Sequence, residues 1–171
     1  MRKVACCWLL VAGCLTFISC NSNKREYVVG IGERIHHDDF EYSVSDIVIS
    51  RFLRNGTDTL HARGIFYLVN FKVENNAKRV SHEWDNSIAY LVDERSGTFQ
   101  NDPEIQKFYE KSKPFGLKEK YVTPAGSADS TYLAFDLPFS VTMPYLKVKG
   151  DILMGDVFDG ALFRRIRIKL F

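Results

Sequence analysis

The chain has 171 residues, 46% of them apolar and 13% aromatic, which suits one domain with a hydrophobic core and leaves too little for two. Its 23 basic and 21 acidic residues give a formal charge of +2, so nothing in the charge indicates a nucleic-acid-binding domain. All four cysteines lie within the first twenty residues, which excludes a disulfide framework in the rest of the chain. We therefore expect a domain stabilised by packing, with no nucleic-acid partner.

The first twenty residues have the layout of a secretory signal peptide. Arg2 and Lys3 precede an apolar stretch, which is short for a membrane-spanning helix, and a polar run follows it. The end of the stretch, Phe17-Ile18-Ser19-Cys20, resembles the lipobox of bacterial lipoproteins. This resemblance implies that Cys20 carries diacylglycerol and an acyl chain, which would anchor the protein to a membrane.

A second lipobox match ends at Cys14. Cleavage there would leave an apolar region of only ten residues and an apolar mature end, so we favour Cys20; an uncleaved N-terminal helix is a further alternative. The predicted division is a signal peptide at 1–19, a lipidated cysteine and linker at 20–26, and one domain at 27–171. The residues after Cys20 lack an acidic run, which favours a lipid-anchored position at the bacterial cell envelope that faces the periplasm.

The predicted domain begins with two strands. A short apolar run broken by two glycines at 27–32 predicts an edge strand. The second strand has apolar residues on even positions through 40–44 and on odd positions at 47–49. This change of phase predicts a β-bulge near Ser45 and Asp46.

The sequence NGTD at 55–58 is a strong turn signal and predicts a hairpin between the second strand and the next. Residues 62–76 alternate in apolar character and predict the central strand of the sheet. Phe66 and Leu68 fill its other face, so we expect this half of the strand to be covered on both sides. The end at Asn75 is expected to open to water.

One stretch departs from the strand pattern. Asp102 can cap a helix and Pro103 suits a first helical turn, which predicts a short helix over 103–113. Further strands are predicted by alternation at 88–92, 131–138, 146–148 and 166–170. Seven or eight short strands with one short helix predict an all-β chain folded as an antiparallel β-sandwich.

Several blocks in a fixed order resemble the bacterial immunoglobulin-like lipoprotein domains of unknown function. They are FEYSVSDI, FYLVNFKVENNAK, Leu91-Val92-Asp93 through Gly97, and Pro124 with Gly126 through Phe135 to Pro138. Ala125 between Pro124 and Gly126 departs from the family pattern, as does the length of the helical insert. The resemblance covers residues 27–138 and implies an immunoglobulin-like sandwich with no catalytic residues to transfer.

Two histidine-containing clusters have metal-ligand residue types. In His36-His37-Asp38-Asp39, neighbouring side chains of an extended chain point to opposite faces, so a polar loop before a strand is the better interpretation. His82-Glu83-Trp84-Asp85 is best interpreted as a loop with Trp84 packed against the sandwich. Near the end of the chain, Arg164, Arg165, Arg167 and Lys169 predict a solvated or edge-protecting basic face.

Our main hypothesis is a non-enzymatic lipoprotein that binds another protein at the cell envelope. Phe108, Tyr109 and Phe115 place aromatic rings in a charged stretch expected to be exposed, and aromatic residues are enriched at interfaces. The alternative is a small-ligand or calcium-binding β-domain that uses Asp151, Asp156 and Asp159, whose spacing does not match an EF-hand. Beyond the lipid, no cofactor or catalytic residue is predicted.

Overall fold

The fold is known from a computed structural model, which describes residues 26–95, 97–111, 118, 120–149 and 163–171. Within these residues the chain forms eleven strands and one short helix. The strands are β1 Tyr27–Val29, β2 Arg34–His37, β3 Phe40–Asn55, β4 Asp58–Asn75, β5 His82–Trp84, β6 Ala89–Asp93, β7 Gly97–Gln100, β8 Tyr121–Thr123, β9 Ser127–Leu137, β10 Tyr145–Val148 and β11 Ile166–Lys169; helix α1 is Pro103–Glu110.

The strands form two main sheets and a small one. The five-stranded sheet has the order β1-β11-β10-β6-β7, the four-stranded sheet β2-β3-β4-β9, and β5 pairs with β8. All pairs are antiparallel except β1 with β11. This arrangement confirms the predicted immunoglobulin-like β-sandwich with one helical insert.

The first core lies between the two main sheets. Strand β4 sits between β3 and β9 as the predicted central strand, and its alternating residues supply much of this core. Fully buried members from both sheets are Val44, Val69, Phe71, Phe135, Leu91, Leu146 and Ile168. Trp84 is also buried here, as predicted, but it belongs to strand β5 and not to the expected loop.

A second, smaller core covers the opposite face of β4. Phe66 and Leu68 are buried there with Leu53, Ile105 and Ala134, which confirms that this half of the strand is covered on both sides. Helix α1 closes this core and begins as predicted. The side chain of Asp102 accepts hydrogen bonds from the backbone N–H groups of Glu104 and Ile105 at 3.0 and 3.2 Å.

Two local predictions are confirmed in the β3–β4 hairpin. The register between these strands shifts between Val44 and Asp46, where the bulge was expected. Asn55 pairs with Asp58 at the turn. A second shift, between Ser50 and Phe52, was not predicted from the sequence.

The helical insert also covers the outer edge of β9. The backbone N–H of Ala134 donates to the side-chain oxygen of Asn101 at 2.7 Å, and its carbonyl accepts from the N–H of Asp102 at 2.7 Å. The N–H of Tyr132 donates to the carboxylate of Glu110 at 3.4 Å. The insert therefore hydrogen-bonds an edge strand whose backbone groups would otherwise be open to other chains.

Three sequence interpretations are wrong. His36 and His37 belong to strand β2 and pair with Glu41 and Phe40, so they are not in a loop. The basic segment at the end of the chain is solvated at Arg164 and Lys169, but its expected role in protecting an edge is wrong, because β11 lies between β1 and β10. Asn75 is only 1% exposed, although its end of β4 was expected to open to water.

Candidate functional site

Strand β3 of the β3–β4 hairpin and the segment that follows β9 carry an exposed group of apolar and arginine side chains, which we call the hairpin patch. It consists of Ile49, Arg51, Phe52, Arg54 and Phe139. Ile49, Phe52 and Phe139 are 52%, 43% and 58% exposed. Ile49 pairs with Tyr67, a residue of the first core, so the patch continues the face of the sheet that forms this core.

The two arginines of the patch stack on its aromatic rings. The guanidinium of Arg51 lies 5.5 Å from the centre of the Phe139 ring, and that of Arg54 lies 5.2 Å from the Phe52 ring. Such contacts orient the arginines while their N–H donors remain available to carboxylates. The patch therefore combines apolar area with positive charge.

A cleft with a volume of about 530 Å³ opens at the other end of β3. Its lining includes Phe40, Tyr42 and Trp84, the histidines His37 and His82, and the charged residues Asp38, Glu83, Asp85, Lys120 and Lys149. The His82 ring stacks on Phe40 at 4.0 Å, and its Nε2 is 3.1 Å from the Tyr42 hydroxyl. Aromatic and polar side chains thus line one concave site at this end of the sandwich.

His37 is the unusual residue of the cleft. Its side chain is 5% exposed and its ring stacks on Phe163 at 4.3 Å. Its buried Nδ1 has no hydrogen-bond partner among the described residues. An unpaired buried polar atom is costly, and because this nitrogen is closed off from solvent, a ligand could supply its partner only if binding opened the cleft around His37.

The charged rim of the cleft is balanced in sign. Hydrogen bonds from Ser87, with smaller contributions from the charges of Lys149 and Lys120, hold the pKa of Asp85 below its ordinary value. Asp85 therefore carries a negative charge at neutral pH. Three carboxylates and two lysines line the cleft, which favours an uncharged or zwitterionic ligand over a multiply charged ion.

The histidine clusters of the sequence do not form a metal centre in the described residues. His36 lies at the surface beside Glu41, whereas His37 is buried, as expected for neighbours in a strand. No group of three histidine, cysteine, aspartate or glutamate side chains is placed to hold a metal ion in the described ranges.

Of the predicted partner-binding residues, Phe108 and Tyr109 are half-buried against the second core, so the expectation that they are exposed is wrong. Their role in partner binding stays a prediction. Phe115, the aspartates Asp151, Asp156 and Asp159, and both candidate lipidation sites, Cys14 and Cys20, lie outside the described residues. No helix in the described part is long and apolar enough to cross a membrane.

Sequence reasoning missed the hairpin patch. Its signal was present as Arg51-Phe52-Leu53-Arg54, an aromatic residue between arginines within a strand. This pattern indicates an exposed patch only if Phe52 is known to lie beyond the part of β3 that the five-stranded sheet covers. The cleft was missed because its lining comes from four separate segments of the chain.

No protein-family model matches this chain, and no curated protein matches it. Solved structures are similar in fold. The yjhA protein from Bacillus subtilis is 13% identical, with a TM-score of 0.57 over 83% of this chain and 98% of that one. A conserved hypothetical protein from Bacillus anthracis is 16% identical, with a TM-score of 0.52 over 72% of this chain and 90% of that one. These likenesses show the β-sandwich fold and leave the function to be argued from the chain itself.

Proposed function

We propose that this chain is a lipid-anchored, extracytoplasmic binding domain without catalytic activity, which holds a partner protein through the hairpin patch. The observation that carries the proposal is the exposure of three large apolar side chains next to two arginines stacked on aromatic rings. Aromatic residues and arginine are enriched in protein interfaces and at their energetic hot spots. An exposed group of this kind favours partner binding.

The direction of the strands supports this assignment. Tyr27 pairs with Ile166, and the register of β10 places Val148 in the same row, next to the cleft residue Lys149. The chain therefore enters the domain at the cleft end. At about 3.3 Å per residue, the hairpin turn at the far end of β3 lies roughly 50 Å from Phe40. A lipid on Cys20 would hold the cleft end near the membrane and present the hairpin patch away from it.

Site-specific photo-crosslinking in cells tests the proposal. Phe52 or Phe139 is replaced with p-benzoylphenylalanine, and Val122, which is 54% exposed on the separate strand β8, serves as the matched control position. We expect the same covalent protein product from positions 52 and 139 and none from position 122. The product is expected to fall in a Cys20→Ala variant, which cannot carry the lipid.

Two results of the crosslinking would contradict the proposal. One is an equal product from position 122, which would indicate random collisions. The other is the lack of any product from positions 52 and 139 in cells that contain the folded, membrane-bound protein.

The cleft favours a second candidate function, the binding of a small ligand, because its lining combines aromatic rings with polar groups, and because His37 Nδ1 has no hydrogen-bond partner among the described residues. If the signal peptide that contains Trp8 is removed, Trp84 is the one tryptophan of the mature chain, and it lines the cleft. We expect a cleft ligand to change its fluorescence, and panels of monosaccharides, amino acids and nucleosides provide the probes. A His37→Phe variant should weaken any response; an unchanged response would place the ligand elsewhere. The calcium-binding role of the aspartate segment stays a prediction.

A further inference from the structure

The two sides of the four-stranded sheet differ in how well their backbone groups are covered. The outer edge of β9 is hydrogen-bonded by Asn101, Asp102 and Glu110. On the other side of the sheet, β2 pairs only with residues 40–43 of β3, and within the described ranges no strand pairs with the outer edge of β3 beyond them. Proteins normally protect such edges, so an open one next to exposed apolar side chains indicates a docking site.

The backbone groups at this open edge can be identified. The N–H of Gly32 donates to the carbonyl of Val44 at 2.8 Å on the outer side of β3, and the Val44 side chain faces the first core. In a strand, every second residue has its side chain on the same face and points its N–H and C=O groups to the same side. After the bulge, Ile47 and Ile49 face the first-core side, so their N–H and C=O groups point outward.

The open stretch is short and has a defined end. Among the described residues, neither Ile47 nor Ile49 has a hydrogen-bond partner on the outer side. At the second bulge the N–H of Phe52 donates to the hydroxyl of Ser50 at 3.2 Å, so the edge is locally satisfied there. An added strand would therefore pair with the segment from 45 to 50 and continue beside Arg51 and Arg54.

We propose that the outer edge of β3 binds an extended, acidic segment of a partner protein by β-strand addition. Backbone pairing with Ile47 and Ile49 supplies the hydrogen bonds, an apolar side chain of the segment packs beside Ile49 and Phe52, and its carboxylates pair with Arg51 and Arg54. The acidic character follows from charge complementarity, since both charged residues of the hairpin patch are arginines. This inference rests on the proposed partner-binding function and names the mode of that same site.

The probe is a labelled synthetic peptide that has threonine at every second position and, at the positions between, valine in one half and glutamate in the other, so that the valines and glutamates share one face. The same peptide with lysine in place of glutamate is its control. With the full chain purified in detergent, we expect the acidic peptide to bind and the basic one to bind at least tenfold more weakly. Ile49→Pro removes the outward N–H, which has no partner in the described fold, and should weaken acidic-peptide binding at least tenfold. Ile49→Thr keeps the N–H and should bind within about threefold of the unmodified chain.

A double variant keeps the test decisive if Ile49→Pro fails to fold. If Ile49→Pro lowers the melting temperature, Arg51→Glu with Arg54→Glu is used, which should reverse the preference between the two peptides. Equal binding to a folded Ile49→Pro chain, or no binding of the acidic peptide to the unmodified chain, would overturn strand addition. Concentration-dependent dimerisation that Ile49→Pro abolishes would make a second copy the occupant and also overturn it.

The crosslinking experiment distinguishes a failure of the strand-addition mode from a failure of the proposed partner-binding function. A product from Phe52 that survives Ile49→Pro would leave the hairpin patch as a protein-binding surface and remove only the strand-addition mode. Loss of crosslinking at both patch positions in the unmodified chain would remove the partner-binding function itself.

Discussion

Gly64→Ala is expected to destabilise the domain by about 3 kcal/mol or more. A Cβ atom at Gly64 would lie 1.9 Å from the carbonyl oxygen of Leu137 and 2.8 Å from its carbonyl carbon. These are backbone atoms of β9, which cannot move without breaking its pairing with β4. The site is also held by Asp136, whose carboxylate accepts from the N–H groups of Arg63 and Gly64 at 2.9 and 3.0 Å.

Urea and thermal unfolding of the mature chain measure this loss. For a domain of this size it corresponds to a melting temperature lower by roughly 6–12 °C. Gly30→Ala is the matched control, because its Cβ would meet only the Glu33 side chain, at 3.9 Å. We expect that variant to stay within about 0.5 kcal/mol of the original chain. An unchanged stability for Gly64→Ala would mean that β4 and β9 lie further apart at this point.

Asn75→Ala is expected to lower the free energy of unfolding by about 3 kcal/mol. The Asn75 side chain donates to the carbonyls of Val80 and Thr123 at 2.7 and 2.9 Å and accepts from the N–H of Ala77 at 2.9 Å. Alanine would leave the Thr123 carbonyl and the Ala77 N–H without this partner in a buried environment, and the part-buried Val80 carbonyl would also lose it.

The neighbouring asparagine gives a control of the same residue type. Asn76 is exposed, and its backbone N–H, which alanine keeps, donates to the carbonyl of Asp39 at 2.8 Å. We expect Asn76→Ala to change stability by less than about 0.5 kcal/mol. Similar small losses for both variants in urea unfolding would refute the structural role assigned to Asn75.

The features that were predicted correctly from the sequence are those determined by neighbouring residues in the chain. The alternation in β4, the bulge after Val44, the Asn55-Gly56 turn and the Asp102 cap depend on residues within a few positions of one another. Each was recognised from the sequence and lies where it was predicted.

Tertiary contacts explain the failures. Asn75 ends strand β4, but it is buried and does not open to water, because carbonyls from residues 80 and 123 meet its side chain in the folded chain. Phe108 and Tyr109 looked exposed because their sequence neighbours are charged, whereas the second core that half-buries them comes from distant strands. The hairpin patch could not be predicted because the sequence does not show where the five-stranded sheet stops covering β3. The sequence could therefore predict the layers of the sandwich, but not which of its surfaces stay open.

The parallel pairing of β1 with β11 affects the order of folding. Tyr27 and its partner Ile166 are 139 positions apart in the chain, and β11 separates β1 from β10. Among the described strands β11 is the neighbour that pairs with β1, so the five-stranded sheet cannot be completed until β11 has been made. Such distant pairing slows folding, because a long loop must be closed before any contact is gained. We therefore expect a nascent chain without Ile166–Lys169 to lack this pairing and to leave its five-stranded sheet incomplete.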